Sequence, residues 1–279
     1  MPGAPRAGWL LAAMLLAAGP AAAEGEPQAG AEEAAAAAAG FNRPTYSSPI
    51  ALSVDDKLVW SVNPADGSVA VINAATNALL TKVRVGGNNE PESVAVDPKN
   101  QFAYVANAAA GHVAVIKITN PNPNGFAAAV VKTIKTGAEP WNVVISPDGK
   151  RVFVANSGQD TISVINAQTQ SLIGQVNLRN SLCNDPDRKR HFQPRGLAVN
   201  QDNTRLYVTR FLSFTKIGGK QGKDNGKEGL VCRLNINTNS ASISGYVPAK
   251  AIKLAAQKTG FKTVDQSGDG VPDESTAFP

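Results

Sequence analysis

The chain is poor in the residues that most often carry chemistry. Its 279 residues include two cysteines, two histidines and two methionines, and aromatics make up 6%. It contains no G-x-S-x-G, H-E-x-x-H or C-x-x-C-H, which removes local support for a serine hydrolase, a zincin or an attached c-type haem. The glycines from Gly218 to Gly229 fit neither a P-loop nor a dinucleotide fingerprint, and with Lys216, Lys220, Lys223 and Lys227 among them they read as a mobile basic loop. No apolar run reaches the roughly 20 residues of a spanning helix. The net charge of +5, or +4 without Arg6, is too small to argue for nucleic acid.

What is present points to many short strands. The composition is 43% apolar with 25 glycines and 18 prolines, enough for one large domain or two small ones, with turns in abundance. Residues 1–23 read as a secretory signal peptide: Arg6, the apolar run Trp9–Ala18, then Ala21-Ala22-Ala23 for cleavage. A membrane anchor is the alternative, against which the shortness of the run counts. Residues 24–43, rich in Ala, Glu and Gly, read as a linker. A periplasmic or secreted location follows, and in that setting Cys183 and Cys232 are expected to form a disulfide, with two buried thiols as the alternative.

The strongest signal is a repeat. "YVAN" at 104–107, "FVAN" at 153–156 and "YVTR" at 207–210 each place their aromatic 13 residues after a proline, Pro91, Pro140 or Pro194. Pro49 and Trp60 make a fourth copy, read with a turn two residues shorter. Downstream lie Val69-Ala-Val-Ile-Asn, Val113-Ala-Val-Ile-Lys, Ile162-Ser-Val-Ile-Asn and Cys232-Arg-Leu-Asn-Ile. Four short β-rich runs per unit of about fifty residues are the pattern of a propeller blade. The strand-two aromatics Trp60, Tyr104, Phe153 and Tyr207 read as core.

On these residues the chain resembles the YVTN-repeat β-propellers, among whose relatives are seven-bladed lactonase-like proteins and the propeller of cytochrome cd1. The resemblance covers roughly Pro49 to Val247 and implies an all-β propeller of four-stranded antiparallel blades. About four blades are expected over 44–247, too few for the family's usual ring, so the array is expected to be partial or open. That implies an N-terminal portion of a longer protein, with a smaller ring, or one closed by self-association through open blade edges, as the alternative. Residues 248–279 are expected to form a short basic helix over Ala249–Thr259 followed by an Asp-rich loop.

Blade geometry selects a face. Blade-to-blade loops and strand 2–3 loops share one end of a four-strand meander, and both long insertions, Ser181–Gln193 and Phe211–Gly229, fall there. They carry more basic than acidic side chains. The residues after the starting prolines, Ile50, Glu92, Trp141 and Arg195, are expected to ring the channel mouth on that face as a ligand-binding set, with His191 nearby as a general base or metal ligand. Packing of Trp141 between blades, with Glu92 and Arg195 merely solvated, is the competing view. His112 opens a strand and reads as structural. Asp265, Ser267, Asp269 and Asp273 follow positions 1, 3, 5 and 9 of a calcium loop, with Gly270 at position 6 and Thr276 where a bidentate Glu belongs, so Ca²⁺ is a candidate cofactor.

Three functions remain open: a binding or scaffold module taking an acidic small molecule, a cell-surface polymer or a protein; a lactonase-like hydrolase; and an electron-transfer partner of a haem domain.

Overall fold

A computed structural model describes residues 50–86, 88–184, 190–215, 218, 226–255, 257–262 and 274–277. The expected signal peptide and linker, the Asp-rich loop and the lysines 216, 220 and 223 lie outside the described residues.

Four antiparallel sheets follow one another along the chain. Blade one holds β1 (Ile50–Leu52), β2 (Leu58–Asn63), β3 (Ser68–Asn73) and β4 (Leu79–Arg84). Blade two holds β5 (Pro91–Val96), β6 (Phe102–Asn107), β7 (His112–Asn120) and β8 (Ala127–Lys135). Blade three holds β9 (Pro140–Ile145), β10 (Arg151–Asn156), β11 (Thr161–Asn166) and β12 (Ser171–Asn177). Blade four has five strands: β13 (Pro194–Val199), β14 (Arg205–Arg210), β16 (Lys227–Ile236), β17 (Tyr246–Ala255) and the short β15 (Phe214–Thr215), which the second insertion adds beside β16. Over the described residues the ring is not closed.

The turns are set by backbone conformation. Asp56, Asn100, Gly149 and Asn203 all take a left-handed φ, between 53° and 70°, in the turn joining strands one and two. Short polar residues and glycine tolerate that conformation. In the 3–4 turns, the Asn73 and Asn166 side chains each accept two backbone N–H groups, closing the bend.

The cores lie between blades. One apolar cluster joins blades one and two around Trp60, Val71 and Val105; a second joins two and three around Tyr104, Val115 and Val154; a third joins three and four around Phe153, Ile162, Leu206 and Leu234. The strand-two aromatic of each blade reaches the outer connection of the next. Trp60 packs edge-on against Phe126, Tyr104 Oη donates to the Ala167 carbonyl at 3.2 Å, and Phe153 packs edge-on against Tyr246. Burial pushes the Tyr104 hydroxyl up to about 12, so it stays a donor. Tyr207, the fourth aromatic, is only half-buried, because no further blade of the described chain stands beside it.

Three expectations are corrected. Ala249–Thr259 is not a helix: β17 runs to Ala255 and β18 covers Gln257–Lys262, pairing with β19 (Glu274–Ala277). The Ala- and Lys-rich stretch has helix propensity, but β16 offers a long unpaired edge whose backbone groups β17 satisfies. The turn of blade one is not shorter either. Ala51 pairs with Trp60 as Ala95 pairs with Tyr104, so Ile50 matches Val94 in the repeat and not Glu92. Blade four is offset by one in the same sense. Val231 pairs with Thr209 as Ile162 pairs with Ala155, so Cys232 is not in the register of Val69 and its side chain turns to the blade-three side.

That turn lets Cys232 meet Cys183, which lies in the 3-10 turn Leu182–Asn184 of the first insertion. The two form a disulfide with Cα atoms 5.1 Å apart, both fully buried.

Two stability measurements follow. Urea titration of Tyr104→Ala is expected to show a loss of about 3–5 kcal/mol, and of Tyr207→Ala less than about 2 kcal/mol, because only the first ring is enclosed by a following blade. Equal losses would refute the inter-blade account. Cys183→Ser combined with Cys232→Ser opens a loop of 49 residues and is expected to lower stability by about 4 kcal/mol.

Candidate functional site at the channel mouth

The starting prolines generate the site through a recurring irregularity. Glu90, Glu139 and Gln193 precede the prolines with φ of 48–50°, and their carbonyls accept the N–H groups of Ala108, Ser157 and Phe211 at 2.8–3.0 Å. Strand one then bulges. Pro91 pairs with Asn107 and Ser93 with Ala106, leaving Glu92 as the extra residue. Pro140 pairs with Asn156 and Asn142 with Ala155, leaving Trp141. In blade four Arg195 and Gly196 together face Thr209. Gly196 donates to Thr209 Oγ1 at 2.8 Å, and a Cβ there would meet that oxygen at 2.9 Å, so the tight bulge needs glycine. A bulge re-aims a side chain out of the ladder. Three consecutive blades thus present an acid, an indole and a guanidinium at one repeat position.

The three converge. The Arg195 guanidinium carbon lies 3.4 Å from the Trp141 ring centroid and 4.3 Å from that of Phe211, so both rings hold the cation. Glu92 is 6% exposed. Its carboxyl is raised above its ordinary range, first by burial and then by Glu90, while Arg195 pulls the other way. Arg195 is therefore near enough to couple to Glu92. Ile50 is not a member of this set, by the register above, and its counterpart position, Ser48, lies outside the described residues.

His191 sits on the first insertion and contacts Asp160, which the sequence reading did not single out. Asp160 ends the 2–3 turn of blade three with φ 57°, where blades one and two have Gly67 and Gly111. Its Oδ1 accepts the N–H groups of Phe192 and Gln193 at 2.9 and 2.8 Å, and its Oδ2 lies 2.9 Å from His191 Nδ1. A carboxylate replacing glycine at a left-handed position was the sequence signal that could have revealed it. Phe211 and Phe214 were missed as well. Phe214 has the Arg190 and Arg210 guanidinium carbons at 4.9 and 4.7 Å from its ring, tying both insertions together. His112 opens β7 opposite Asn107, and burial lowers its imidazole.

At the opposite end of the blades, where the 1–2 and 3–4 turns lie, a cavity of about 580 Å³ is lined by Asp97, Lys99, Gln101, Lys150 and Asn166. The sequence reading placed nothing there. Among the described residues no cluster of three His, Cys, Asp or Glu side chains could hold a metal ion. The calcium-loop residues Asp265, Ser267, Asp269 and Asp273 lie outside the described residues. Among the described residues no helix is long and apolar enough to cross a membrane.

Comparison with known proteins agrees with the blades. The family described as "Lactonase, 7-bladed beta-propeller" matches residues 24–255. The chain belongs to this family. Similar solved structures include Kuenenia stuttgartiensis hydrazine synthase, at 23% identity and TM-score 0.55 over 75% of this chain and 50% of that one. A functionally unknown protein from Desulfotomaculum acetoxidans DSM 771 has 17% identity and TM-score 0.57 over 76% and 58%. A protein from Lactobacillus plantarum has 16% identity and TM-score 0.52 over 76% and 57%. These likenesses show the fold alone, and the chain spans roughly half the length of the structures it matches. No curated protein matches.

The raised Glu92 carboxyl gives a signed test. Its folded pKa stands above the ordinary 4.5, so the folded state binds more protons than the unfolded one above that pH, and stability falls as the acid ionises. Glu92→Gln is expected to raise the melting temperature at pH 7 relative to its effect at pH 3. A gain of the same size at both pH values would contradict the assignment.

Proposed function

We propose that the chain is an exported, non-catalytic binding module whose channel mouth takes an acidic ligand: a small-molecule anion, an acidic cell-surface polymer or an acidic face of a protein. The observation that carries the reading is the Arg195 guanidinium held between Trp141 and Phe211 beside the buried Glu92. Ring contacts fix a guanidinium in place without neutralising it, so little side-chain freedom is lost when an oxyanion arrives. Arg190, exposed and seated on Phe214, extends the cationic surface along the same face. The buried disulfide supports a periplasmic or secreted setting.

Isothermal titration with citrate and with polygalacturonate tests this. Arg195→Ala is expected to weaken binding by roughly 1.5–3 kcal/mol, the range for hydrogen bonds to charged groups. Trp141→Ala is expected to weaken it less. Absence of heat with either probe at low ionic strength would defeat the reading.

A second reading is lactone hydrolysis. Family membership favours it, as does the contact between His191 and the buried Asp160, since a carboxylate-held imidazole is a common means of activating water.

A further inference from the structure

We propose that the hollow at the end of the blades opposite the channel mouth binds an uncharged saccharide chain. This site is independent of both readings of the mouth.

The hollow lies where two turns depart from their own repeat. In each blade the residue that opens the 1–2 turn accepts the N–H of the first residue of strand two. Ser53 accepts from Leu58, Asp97 from Phe102, Ser146 from Arg151 and Asn200 from Arg205. In blades one and three that serine also donates to an aspartate two residues on, Asp55 or Asp148. Blade two instead puts the carboxylate first and a lysine, Lys99, third. The left-handed residue of the turn departs as well. Asn100 donates to Asp55 of the preceding blade at 3.1 Å, and Asn203 accepts the N–H of Asp148 at 3.1 Å. Blade three has Gly149 there, so nothing from this position crosses to the turn of blade two. The gap between those turns is part of the cavity of about 580 Å³, a size within the range of small-molecule sites.

Asp97 brings to this hollow more than its turn requires. Holding the turn takes one acceptor atom, which serine or asparagine supplies in the other three blades. The Asp97 Oδ1 does this work, accepting the N–H groups of Gln101 and Phe102 at 2.6 and 3.2 Å. Its Oδ2 accepts no hydrogen bond among the described residues, although Asp97 is only 9% exposed. A buried acceptor without a donor costs free energy that a ligand carrying donors recovers.

The surroundings narrow the ligand. An anion would meet the Asp97 carboxylate, and a cation would meet Lys99, Lys150 and, in the adjoining hollow, Lys117. A molecule without net charge and rich in hydroxyls meets neither penalty. Asn166 and Gln168 bring amide groups to it from the 3–4 turn of blade three. Arg151 also lines the hollow, but its three nitrogens already donate to Tyr246 Oη and to the Lys150 and Ser240 carbonyls, so it is scaffold. Phe102, half-buried, supplies a flat apolar wall for the C–H face of a sugar ring. Phe102 and Gln101 also line the second hollow, of about 430 Å³, so the two hollows meet at that wall. A ligand filling both has more than one ring, which favours a chain over a single sugar.

Titration calorimetry of the full chain with maltotriose, cellotriose and mannotriose tests this, with glutamine as a zwitterionic comparison. At least one trisaccharide is expected to bind. Asp97→Asn is expected to weaken that binding about 10-fold or more, because a hydrogen bond to a charged acceptor is lost, and Asn200 shows that asparagine keeps such a turn. Gly149→Asn is expected to abolish it with the melting temperature unchanged. The φ of 70° suits asparagine, as at Asn100 and Asn203, and a Cβ there lies no nearer than 3.4 Å to Pro98. Binding undiminished in Asp97→Asn or in Gly149→Asn overturns the site, and so does displacement of the trisaccharide by citrate, which would place it at the mouth. Heat with glutamine and none with the trisaccharides overturns the ligand class. No heat with any of the four overturns the proposal whole and leaves the readings of the mouth untouched.

Discussion

Everything in this fold depends on the strand-two aromatic ring of blades one, two and three being covered by the blade that follows. A single four-stranded blade has two broad faces and cannot bury either alone. Trp60, Tyr104 and Phe153 solve this in the same way, each projecting from strand two to the 3–4 connection of its neighbour. The partner differs each time: a phenyl edge, a backbone carbonyl, a tyrosine. Tyr104 combines burial with a donated hydrogen bond, so its hydroxyl adds no unsatisfied polar group to the core. The position of the ring is constant while its chemistry varies, which is why the repeat reads as Trp, Tyr, Phe and Tyr in turn.

Inter-blade packing fixes the backs of the blades and leaves the mouth free to vary. The bulge after each starting proline adds one residue outside the ladder, so that residue answers to no pairing partner and little to the core. Blades two and three fill it with Glu92 and Trp141, and blade four, with a wider bulge, with Arg195. The prolines and the left-handed residues before them are the scaffold; the following side chain is what differs. Arg195 offsets part of the cost of burying Glu92, and Arg195 is held because the next bulge over supplies Trp141.

The architecture was legible in the sequence because spacing is a backbone property. Proline to aromatic in three of the copies, and turn residue to strand, repeat at distances that survive side-chain change. The errors came where one local preference met a longer-range constraint. Ala249–Thr259 has a helical composition, and the unpaired edge of β16 overrode it. Pro49 looked like the other starting prolines, yet strand pairing places it two residues further along, which removes Ile50 from the mouth. Cys232 was aligned one residue off in the repeat, and the true register is what points it at Cys183. The site was less legible still. Glu92, Trp141 and Arg195 could be found because they follow the prolines, whereas Phe211 and Phe214 lie in an insertion that the other blades lack, and Asp160 stands where blades one and two have a glycine.

Those insertions raise a physical difficulty of their own, since long polar segments seldom stay in place by burial. Here three unlike anchors hold them. The disulfide ties Cys183 to the core of blade four, Asp160 takes the backbone of Phe192 and Gln193, and Phe214 gathers Arg190 from one insertion and Arg210 from the strand bearing the other. Two of the three use charge, and each also positions a group with chemistry to offer. The carboxylate that holds the loop also orients an imidazole, and the ring that joins the insertions also collects guanidinium groups. A plain tether would need none of this, because a few apolar side chains would serve. The insertions are thus held by the same charged groups that offer chemistry, and that coincidence is the strongest reason to look for function there as well as at the cavity on the opposite side.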